Sequence, residues 1–363
     1  MRRGRILCHL AYVARRVKRS RWLPALLAAA LAGVAIALVV LIPGGSHERR
    51  AAGLPAKPTQ PGFHVDHGRI VAPDGRTFIV KGITAAYGTF AGGDQQGLGA
   101  VNYNDAGSDF RLIRALGANT VRVFVTPATA DPAQFARLQQ VVRLARQQGL
   151  VVELANAFAD MQSSLPWLRG LARTFKDDPY VWLEPMNEPH CSPKPDPAAC
   201  GDWQLWQQEE RAYVGAIRSQ GMTAPIVVNT PQWSSSIENV PSYPLGDPNL
   251  VFGVHAYGNN RQGVTGADVP DYQRAMNSGT GQLAVIVDEV GSWNGPTFAN
   301  SFNWLQEFVD LVRGWVLQGT GSGAIGFVWR WSDPNTMVAP GGGLTPWGTL
   351  FARRYLQPVP GER

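Results

Sequence analysis

Cysteine is scarce in this sequence, with only three among 363 residues. The sequence contains no Cys-x-x-Cys pair and no cluster of histidine and cysteine, so it predicts no zinc or other metal site. The phosphate-binding patterns Gly-x-Gly-x-x-Gly and Gly-x-x-x-x-Gly-Lys-Ser/Thr are also absent from it. We therefore expect no nucleotide and no other cofactor.

Negative charge is missing from the amino terminus. Residues 1–22, the basic tail, contain no Asp or Glu but hold eight of the 33 Arg and Lys residues. The other 25 basic residues are balanced by 27 acidic ones, so the formal charge of +6 belongs to this tail. Because the rest of the chain is close to neutral, its composition does not favour a nucleic-acid partner.

An uncharged apolar run of 20 residues follows the basic tail, from Leu23 to Ile42. Its length suits a single transmembrane helix. Because the basic tail should stay in the cytoplasm, we expect the rest of the chain outside the cell membrane. The alternative is secretion after cleavage of a signal peptide, whose apolar part is normally about 7–15 residues long. The longer run favours an uncleaved anchor at residues 23–42.

The folded part of the chain is predicted to begin near Gly62. Residues 43–61 are rich in Gly, Pro and Ala, which predicts a linker between the anchor and a domain at 62–363. Within this domain, Cys191 and Cys200 enclose the short proline-rich stretch SPKPDPAA. An exported domain permits disulfide bonds, so these two cysteines are predicted to be paired.

Apolar strand-like segments alternate with helical patterns through this domain. The eight strand candidates are Phe78–Ile83, Asn119–Val125, Leu150–Leu154, the segment from Val181, Pro225–Asn229, Leu250–Ala256, Leu283–Val287 and Ala324–Trp329. Helices are expected between them, including a short one around Tyr272. This alternation predicts an α/β fold of the (β/α)8 TIM-barrel type, here preceded by the N-terminal transmembrane helix. A doubly wound open sheet is the alternative, but its glycine-rich phosphate turn is absent.

Polar and aromatic residues gather at the carboxyl ends of these candidates. They are Arg122, Asn187, Glu188, Trp233, His255, Tyr257, Glu289, Trp329 and Trp331. A barrel brings its strand ends around one pocket, so we expect a shared site. Glu188 and Glu289 suit cleavage of a glycosidic bond, in which one carboxyl protonates and the other attacks. Alternation along the strand should turn Asp288 to the opposite face.

Six segments together resemble glycoside hydrolase family 5, the retaining cellulases and mannanases. They are VKGIT, NTVRVFV, EPMNEP, VFGVHAYG, VDEVG and FVWRW, spread over residues from Gly62 to about Gln357. The resemblance implies that Glu188 is the general acid/base and Glu289 the nucleophile. It also implies that Arg122 and Tyr257 orient Glu289 and keep it ionised. Asn187 would bind a sugar 2-hydroxyl and His255 would line the acid/base side. Trp329 would stack under the reacting sugar. Trp233 is a further candidate for substrate binding.

One position departs from the family pattern. The family usually has a His at the end of the third strand, where this chain has Ala155, and His190 is a candidate to compensate. The sequence predicts a membrane-anchored, endo-acting β-glycosidase that hydrolyses a β-linked glucan or mannan with retention of configuration. The alternative, favoured by Ala155, is a catalytically weak glycan-binding barrel at the cell surface. The polymer stays open, with Tyr87, Tyr103, Trp206 and Trp293 as candidates for selecting it.

Overall fold

The computed structural model describes residues 62–85, 106–157, 161–189, 201–235, 237–258, 282–292, 299–330 and 335–358. The predicted tail, anchor and linker lie outside these ranges, as do Cys191, Cys200 and the helix expected around Tyr272. Within the described ranges, no helix has both the length and the apolar character needed to cross a membrane. The anchor and the disulfide therefore stay predictions.

Eight parallel strands close into a barrel, which confirms the predicted (β/α)8 fold. A short antiparallel pair, β1 (His64–Asp66) and β2 (Arg69–Val71), precedes them. The barrel strands are β3 (Val80–Thr84), β4 (Thr120–Val125), β5 (Val151–Asn156), β6 (Val181–Glu184), β7 (Ile226–Asn229), β8 (Leu250–Gly258), β9 (Ala284–Ser292) and β10 (Gly323–Gly326). They follow one another in chain order around the ring, and β10 pairs with β3 to close it.

Helices connect these strands and bury one face each. The described helices are α1 (Ala106–Ala115), α2 (Pro132–Gln147), α3 (Met161–Phe175), α4 (Trp203–Arg218), the four-residue α5 (Pro231–Ser234), α6 (Ala299–Gln318) and α7 (Pro346–Phe351). Asp131 and Asp202 start α2 and α4 because their carboxylates accept hydrogen bonds from the first free backbone N–H groups. In α3 the apolar residues recur at helical spacing, so Leu168, Leu171 and Phe175 face the core.

The amino end of the barrel is filled by aromatic side chains. Phe63 packs edge-on against Phe78, Tyr180 and Trp182, with ring centroids 4.9, 5.0 and 5.3 Å away. Phe78 precedes β3 and Tyr180 precedes β6, so this cluster seals the end at which the strands begin. The opposite end, at which the strands finish, is the end where barrel enzymes have their active sites.

Strand β9 contains one residue more than its neighbours at the level of the predicted site. Between two aligned pairs, β8 advances two residues, from Gly253 to His255, while β9 advances three, from Ile286 to Glu289. The same shift occurs against β10 on the other side. Such a bulge re-aims the side chains of the strand that carries it. The strand also continues to Ser292, well past its predicted end, so Glu289 lies within it.

Candidate active site

The two predicted catalytic carboxyls meet at the carboxyl end of the barrel. Glu188 follows β6 by four residues, and Glu289 lies within β9. One oxygen of each carboxyl and one ring nitrogen of His255 all lie within 4.8 Å of one another. Retaining glycosidases separate their carboxyls by about 5–5.5 Å and inverting ones by roughly 6.5–9.5 Å. The close approach therefore fits retention of configuration.

Both carboxylate oxygens of Glu289 accept hydrogen bonds. Arg122 Nη1 donates to Oε1 at 2.5 Å, and the hydroxyl of Tyr257 donates to Oε2. Burial raises the pKa of Glu289, while the charges of His255 and Arg122 oppose that rise. Because each of the two oxygens accepts a hydrogen bond from its own donor, the geometry stabilises the ionised carboxylate that a nucleophile requires.

Glu188 is the more accessible member of the pair. Its side chain is 18% exposed, against 4% for Glu289. Its backbone lies in the left-handed region with φ of 50°, which a residue other than glycine adopts only when its surroundings hold it there. The preceding backbone N–H, that of Asn187, donates to Asn156 O at 2.8 Å and helps to fix this conformation. An acid in this position can reach both a leaving group and water.

His255 lies between the carboxyl groups of Glu188 and Glu289. Its Nδ1 atom is 2.7 Å from Glu188 Oε1 and 3.5 Å from Glu289 Oε2. Burial opposes a charged imidazole, but the charges of Glu289 and Asp288 outweigh it, so the pKa of His255 lies well above its usual range. The ring can therefore hold a proton at neutral pH and can exchange it with Glu188.

Buried acidic side chains that were not among the predicted site residues lie around Arg122. This fully buried guanidinium donates to both oxygens of Glu184 at 2.7 Å and to Glu153 Oε1 at 3.1 Å. Oxygens of Glu153, Glu184 and Asp288 lie within 4.8 Å of one another. Burial, and next the charge of Glu184, raise the pKa of Glu153 well above its usual range. The raised pKa favours the protonated form of Glu153, which reduces the negative charge that Arg122 must balance.

The expected orientation of Asp288 is wrong. Its carboxylate is fully buried, lies with Glu153 and Glu184, and accepts a hydrogen bond from Asn229 Nδ2 at 3.0 Å. Simple alternation fails because the bulge in β9 places an extra residue beside Glu289. The sequence did carry a signal for the buried acids: Glu153 and Glu184 interrupt strands that are otherwise apolar, and a charge in such a strand needs a partner inside the protein.

Asn187 is linked to Glu289 through Arg122. Its amide oxygen accepts a hydrogen bond from Arg122 Nη2 at 2.5 Å. The same guanidinium therefore connects Glu289 on β9 with the residue next to Glu188. Because the amide oxygen is occupied, a contact between Asn187 and a sugar hydroxyl would use the amide nitrogen as donor.

The aromatic residues predicted to bind substrate occupy different environments. Trp233 is half-buried, and its backbone N–H donates to Pro189 O at 3.3 Å, which places it beside the Asn-Glu-Pro turn. Trp329 is 2% exposed and packs in the main core, so it could stack on a sugar only if its covering side chains moved. Phe327 instead packs edge-on against Tyr257, with ring centroids 6.0 Å apart. Phe327, which was not a candidate from the sequence, therefore borders Tyr257, the hydrogen-bond partner of Glu289.

Ala155 lies in a small apolar cluster at this end of the barrel. The cluster comprises Phe124, Ala155, Ala157, Phe327 and Val328, with Tyr257 packed against it. The position at which the family usually has His is therefore filled by apolar packing, and both catalytic carboxyls keep their partners. Asn156, the next residue, faces elsewhere and donates to Ser164 Oγ and Pro185 O, each at 2.9 Å.

The remaining candidates from the sequence are either buried away from this site or outside the described residues. Trp206 is buried in α4 and donates to Asn229 O at 2.9 Å, so it supports the barrel rather than the rim. His190, Tyr87, Tyr103, Trp293 and Trp331 lie outside the described residues. In the part of the chain that the structure describes, two groups of side chains are close enough together to hold a metal ion, Glu188–His255–Glu289 and Glu153–Glu184–Asp288. In the first group the carboxyl of Glu188 already pairs with the ring of His255, and in the second group the carboxylate of Glu184 already pairs with Arg122.

Comparisons with known proteins agree with this geometry. The family model described as cellulase, glycosyl hydrolase family 5, matches residues 80–316. A mannan endo-1,4-beta-mannosidase of Streptomyces lividans is 26% identical over 87% of this chain and 79% of its own length. The cellulase CelDZ1 of a Thermoanaerobacterium species is 22% identical over 49% of this chain and 47% of its own length.

Solved structures match the whole barrel. A hyperthermostable endocellulase superposes with a TM-score of 0.67 at 16% identity, covering 83% of this chain and 100% of the other. The catalytic domain of Thermobifida fusca endoglucanase Cel5A gives 0.62 at 17% identity, covering 81% and 97%. At such identities the superpositions show the fold. Since the family model covers most of the barrel, from β3 into α6, the chain belongs to glycosyl hydrolase family 5, a family of retaining glycoside hydrolases that use two glutamates.

Proposed function

We propose that this protein is an endo-acting β-glycosidase that hydrolyses a β-linked glucan or mannan with retention of configuration. One observation carries the proposal: Glu188 and Glu289 approach within 4.8 Å but have different partners. Glu289 accepts from Arg122 and Tyr257, which favours a nucleophile, whereas Glu188 is more exposed and contacts His255, which favours an acid/base. The two relatives, a mannan endo-1,4-beta-mannosidase and a cellulase, support a β-glycan substrate.

The first half of the reaction forms a covalent glycosyl-enzyme. A carboxylate oxygen of Glu289 bonds to the anomeric carbon while the bond from that carbon to the leaving oxygen breaks. Glu188 gives its proton to the leaving oxygen, so the released chain departs as a neutral alcohol. Glu289 loses its negative charge in this step, and the hydrogen bonds from Arg122 and Tyr257 weaken accordingly.

The second half reverses these roles. Glu188, now a carboxylate, takes a proton from a water molecule whose oxygen bonds to the anomeric carbon. The ester bond to Glu289 breaks, and the carboxylate recovers its hydrogen bonds from Arg122 and Tyr257. Two displacements at one carbon restore its original configuration. The chemistry uses only side chains of this chain and water.

The polymer is identified by hydrolysis of a matched panel. Carboxymethyl cellulose, barley β-glucan, glucomannan and linear β-mannan are incubated with the wild type and with Glu289→Gln. An endo-acting enzyme lowers the viscosity of its polymer before many reducing ends appear, and Glu289→Gln should leave both unchanged. A wild type that binds one polymer yet cleaves none would instead support the glycan-binding barrel.

We also propose that residues 23–42 anchor the enzyme in the cell membrane with the barrel outside. The uncharged run of 20 residues and the eight cationic residues before it support this orientation. Protease added to intact cells should digest the barrel and spare the basic tail. A fully protected barrel contradicts the orientation, and release of the whole barrel into the medium without protease supports signal cleavage.

A further inference from the structure

Asp288 stands immediately before the nucleophile and shares the barrel interior with it. The bulge in β9 makes this possible, because two consecutive side chains there both reach the inner groups. The neighbouring strand makes room for Asp288 with a glycine. A Cβ atom on Gly253 would lie only 2.1 Å from Asp288 Oδ2, so any other residue would push the carboxylate away.

The carboxylate of Asp288 faces His255 from the side opposite to Glu188. Asn229 Nδ2 donates to Asp288 Oδ2 at 3.0 Å and fixes the carboxylate. Asp288 Oδ1 then lies 3.6 Å from His255 Nε2, while His255 Nδ1 is 2.7 Å from Glu188 Oε1. Asp288, His255 and Glu188 therefore form a row of carboxylate, imidazole and carboxyl that leads to the acid/base.

We propose that Asp288 is a positioning residue for proton transfer, which acts through His255 to keep a proton available to Glu188. An ionised Asp288 beside Nε2 favours the imidazole form that carries a proton on Nε2. Nδ1 can then accept from a protonated Glu188 or donate to an ionised one. These are the two states that the acid/base needs in the two halves of the reaction. The inference rests on the proposed function, since it takes Glu188 as the acid/base.

The charges around His255 determine whether the loss of the Asp288 charge raises or lowers the proton affinity of the His255–Glu188 pair. Glu188 approaches from the end of β6, and Asp288 and Glu289 approach from β9. Beyond these groups lie Arg122 and the acids Glu153 and Glu184. Burial raises the pKa of Asp288, but the charge of His255 and the other groups around the carboxylate together lower it by more. The pKa of Asp288 therefore lies below its usual range, and Asp288 is ionised at neutral pH. Removing this negative charge lowers the proton affinity of the His255–Glu188 pair.

The test replaces Asp288 by Asn, which keeps the shape and removes the charge. The wild type and Asp288→Asn are compared on two aryl β-glycosides, which are cellobiosides if the polymer panel identifies a glucan and mannobiosides if it identifies a mannan. One carries a 4-nitrophenyl and the other a 2,4-dinitrophenyl leaving group. The latter leaves without protonation. For the 4-nitrophenyl substrate we expect kcat/KM to fall about tenfold or more, since general acid catalysis contributes about 10²–10⁴-fold. For the 2,4-dinitrophenyl substrate we expect less than about a twofold change in kcat/KM, because this constant reports the first half of the reaction and that half needs no acid when the leaving group is 2,4-dinitrophenolate.

The pH profile gives a second readout that a purely structural role would not move. In Asp288→Asn the basic limb of kcat/KM should shift to lower pH by about one unit, the size of shift that a neighbouring charge causes. Gly253→Ala, which displaces the carboxylate without removing it, should shift the same limb in the same direction. Asp247→Asn is the matched control, because Asp247 pairs with Arg218 at 2.7 Å just before β8. It should lower the melting temperature and leave the limb unmoved.

Two results would overturn the inference and differ in what they imply. A wild type that cleaves neither these substrates nor any polymer of the panel refutes the proposed function and this inference with it. An active wild type together with a folded Asp288→Asn that loses activity equally on both substrates, with an unmoved basic limb, refutes the inference alone. Circular dichroism and thermal melts verify that each variant is folded.

Discussion

Replacing Tyr257 by Phe removes one group from the active site, the hydroxyl that donates to Glu289 Oε2. The ring itself should stay in place, because Phe keeps the edge-on packing against Phe327. Arg122 still donates to the other carboxylate oxygen. The substitution therefore isolates one of the two hydrogen bonds that stabilise the ionised nucleophile.

The size of the effect follows from the charge on the acceptor. A hydrogen bond to a charged group contributes about 1.5–3 kcal/mol. One pKa unit corresponds to about 1.36 kcal/mol, so its loss raises the pKa of Glu289 by about one to two units. The sign is fixed, because the lost donor favoured the ionised form. Since the attacking carboxylate must be ionised, the acidic limb of kcat/KM moves to higher pH by the same amount.

The assay is a pH–rate profile of kcat/KM for the wild type and Tyr257→Phe on the same aryl β-glycoside, chosen to match the polymer that the wild type cleaves. Tyr355→Phe is the matched control, because the buried hydroxyl of Tyr355 donates to Val80 O at 2.7 Å at the amino end of the barrel. It should lower stability by about 1–3 kcal/mol without moving either limb. An acidic limb that is the same in Tyr257→Phe and the wild type would refute the assignment of Glu289 as the ionised nucleophile held by Tyr257.

Three further predictions follow from the site and the chain around it. Glu289→Gly supplied with azide should give an α-glycosyl azide and Glu188→Ala a β-azide, as judged by NMR of the products; the reverse pattern would exchange the two roles. Arg122→Met should lose about 3–5 kcal/mol of stability in urea unfolding, because buried carboxylates lose their cation, and a loss below about 1 kcal/mol would contradict the buried network. Mass spectrometry of the exported, unreduced protein should detect a linked peptide of Cys191 and Cys200, and two free thiols would exclude the bond. Because the closed loop has only about ten residues, the bond should add less than about 3 kcal/mol to the free energy of unfolding.

Much of the fold could be predicted because its signals are local. Apolar segments such as Asn119–Val125 alternate with amphipathic helices, and each pattern depends on residues close together in the chain. The same holds for Glu188, since a proline directly after Asn-Glu ends its segment at the rim. Strand ends were less well defined: β9 continues to Ser292, beyond the predicted end at Val287, and β10 stops at Gly326 instead of reaching Trp329.

Local patterns could not predict how the side chains share the barrel interior. The period of two along a strand holds only while the strand keeps its register with both neighbours. The extra residue in β9 is visible only when β8 and β10 are aligned beside it, so Asp288 was placed on the wrong face. The contact between the rings of Phe327 and Tyr257 also joins residues that are far apart in the chain, so no local pattern predicts it.

The sequence by itself determined the alternation of strands and helices, and with it the end of the barrel at which Glu188 and Glu289 lie. Spacing and strand-breaking residues suffice for this, because a parallel barrel collects all its strand ends on one side. Only the tertiary structure decided which partners each carboxyl has. Arg122 interacts with Glu153, Glu184 and Glu289 from three other strands, and such electrostatic contacts depend on distances in space that the order of residues does not contain.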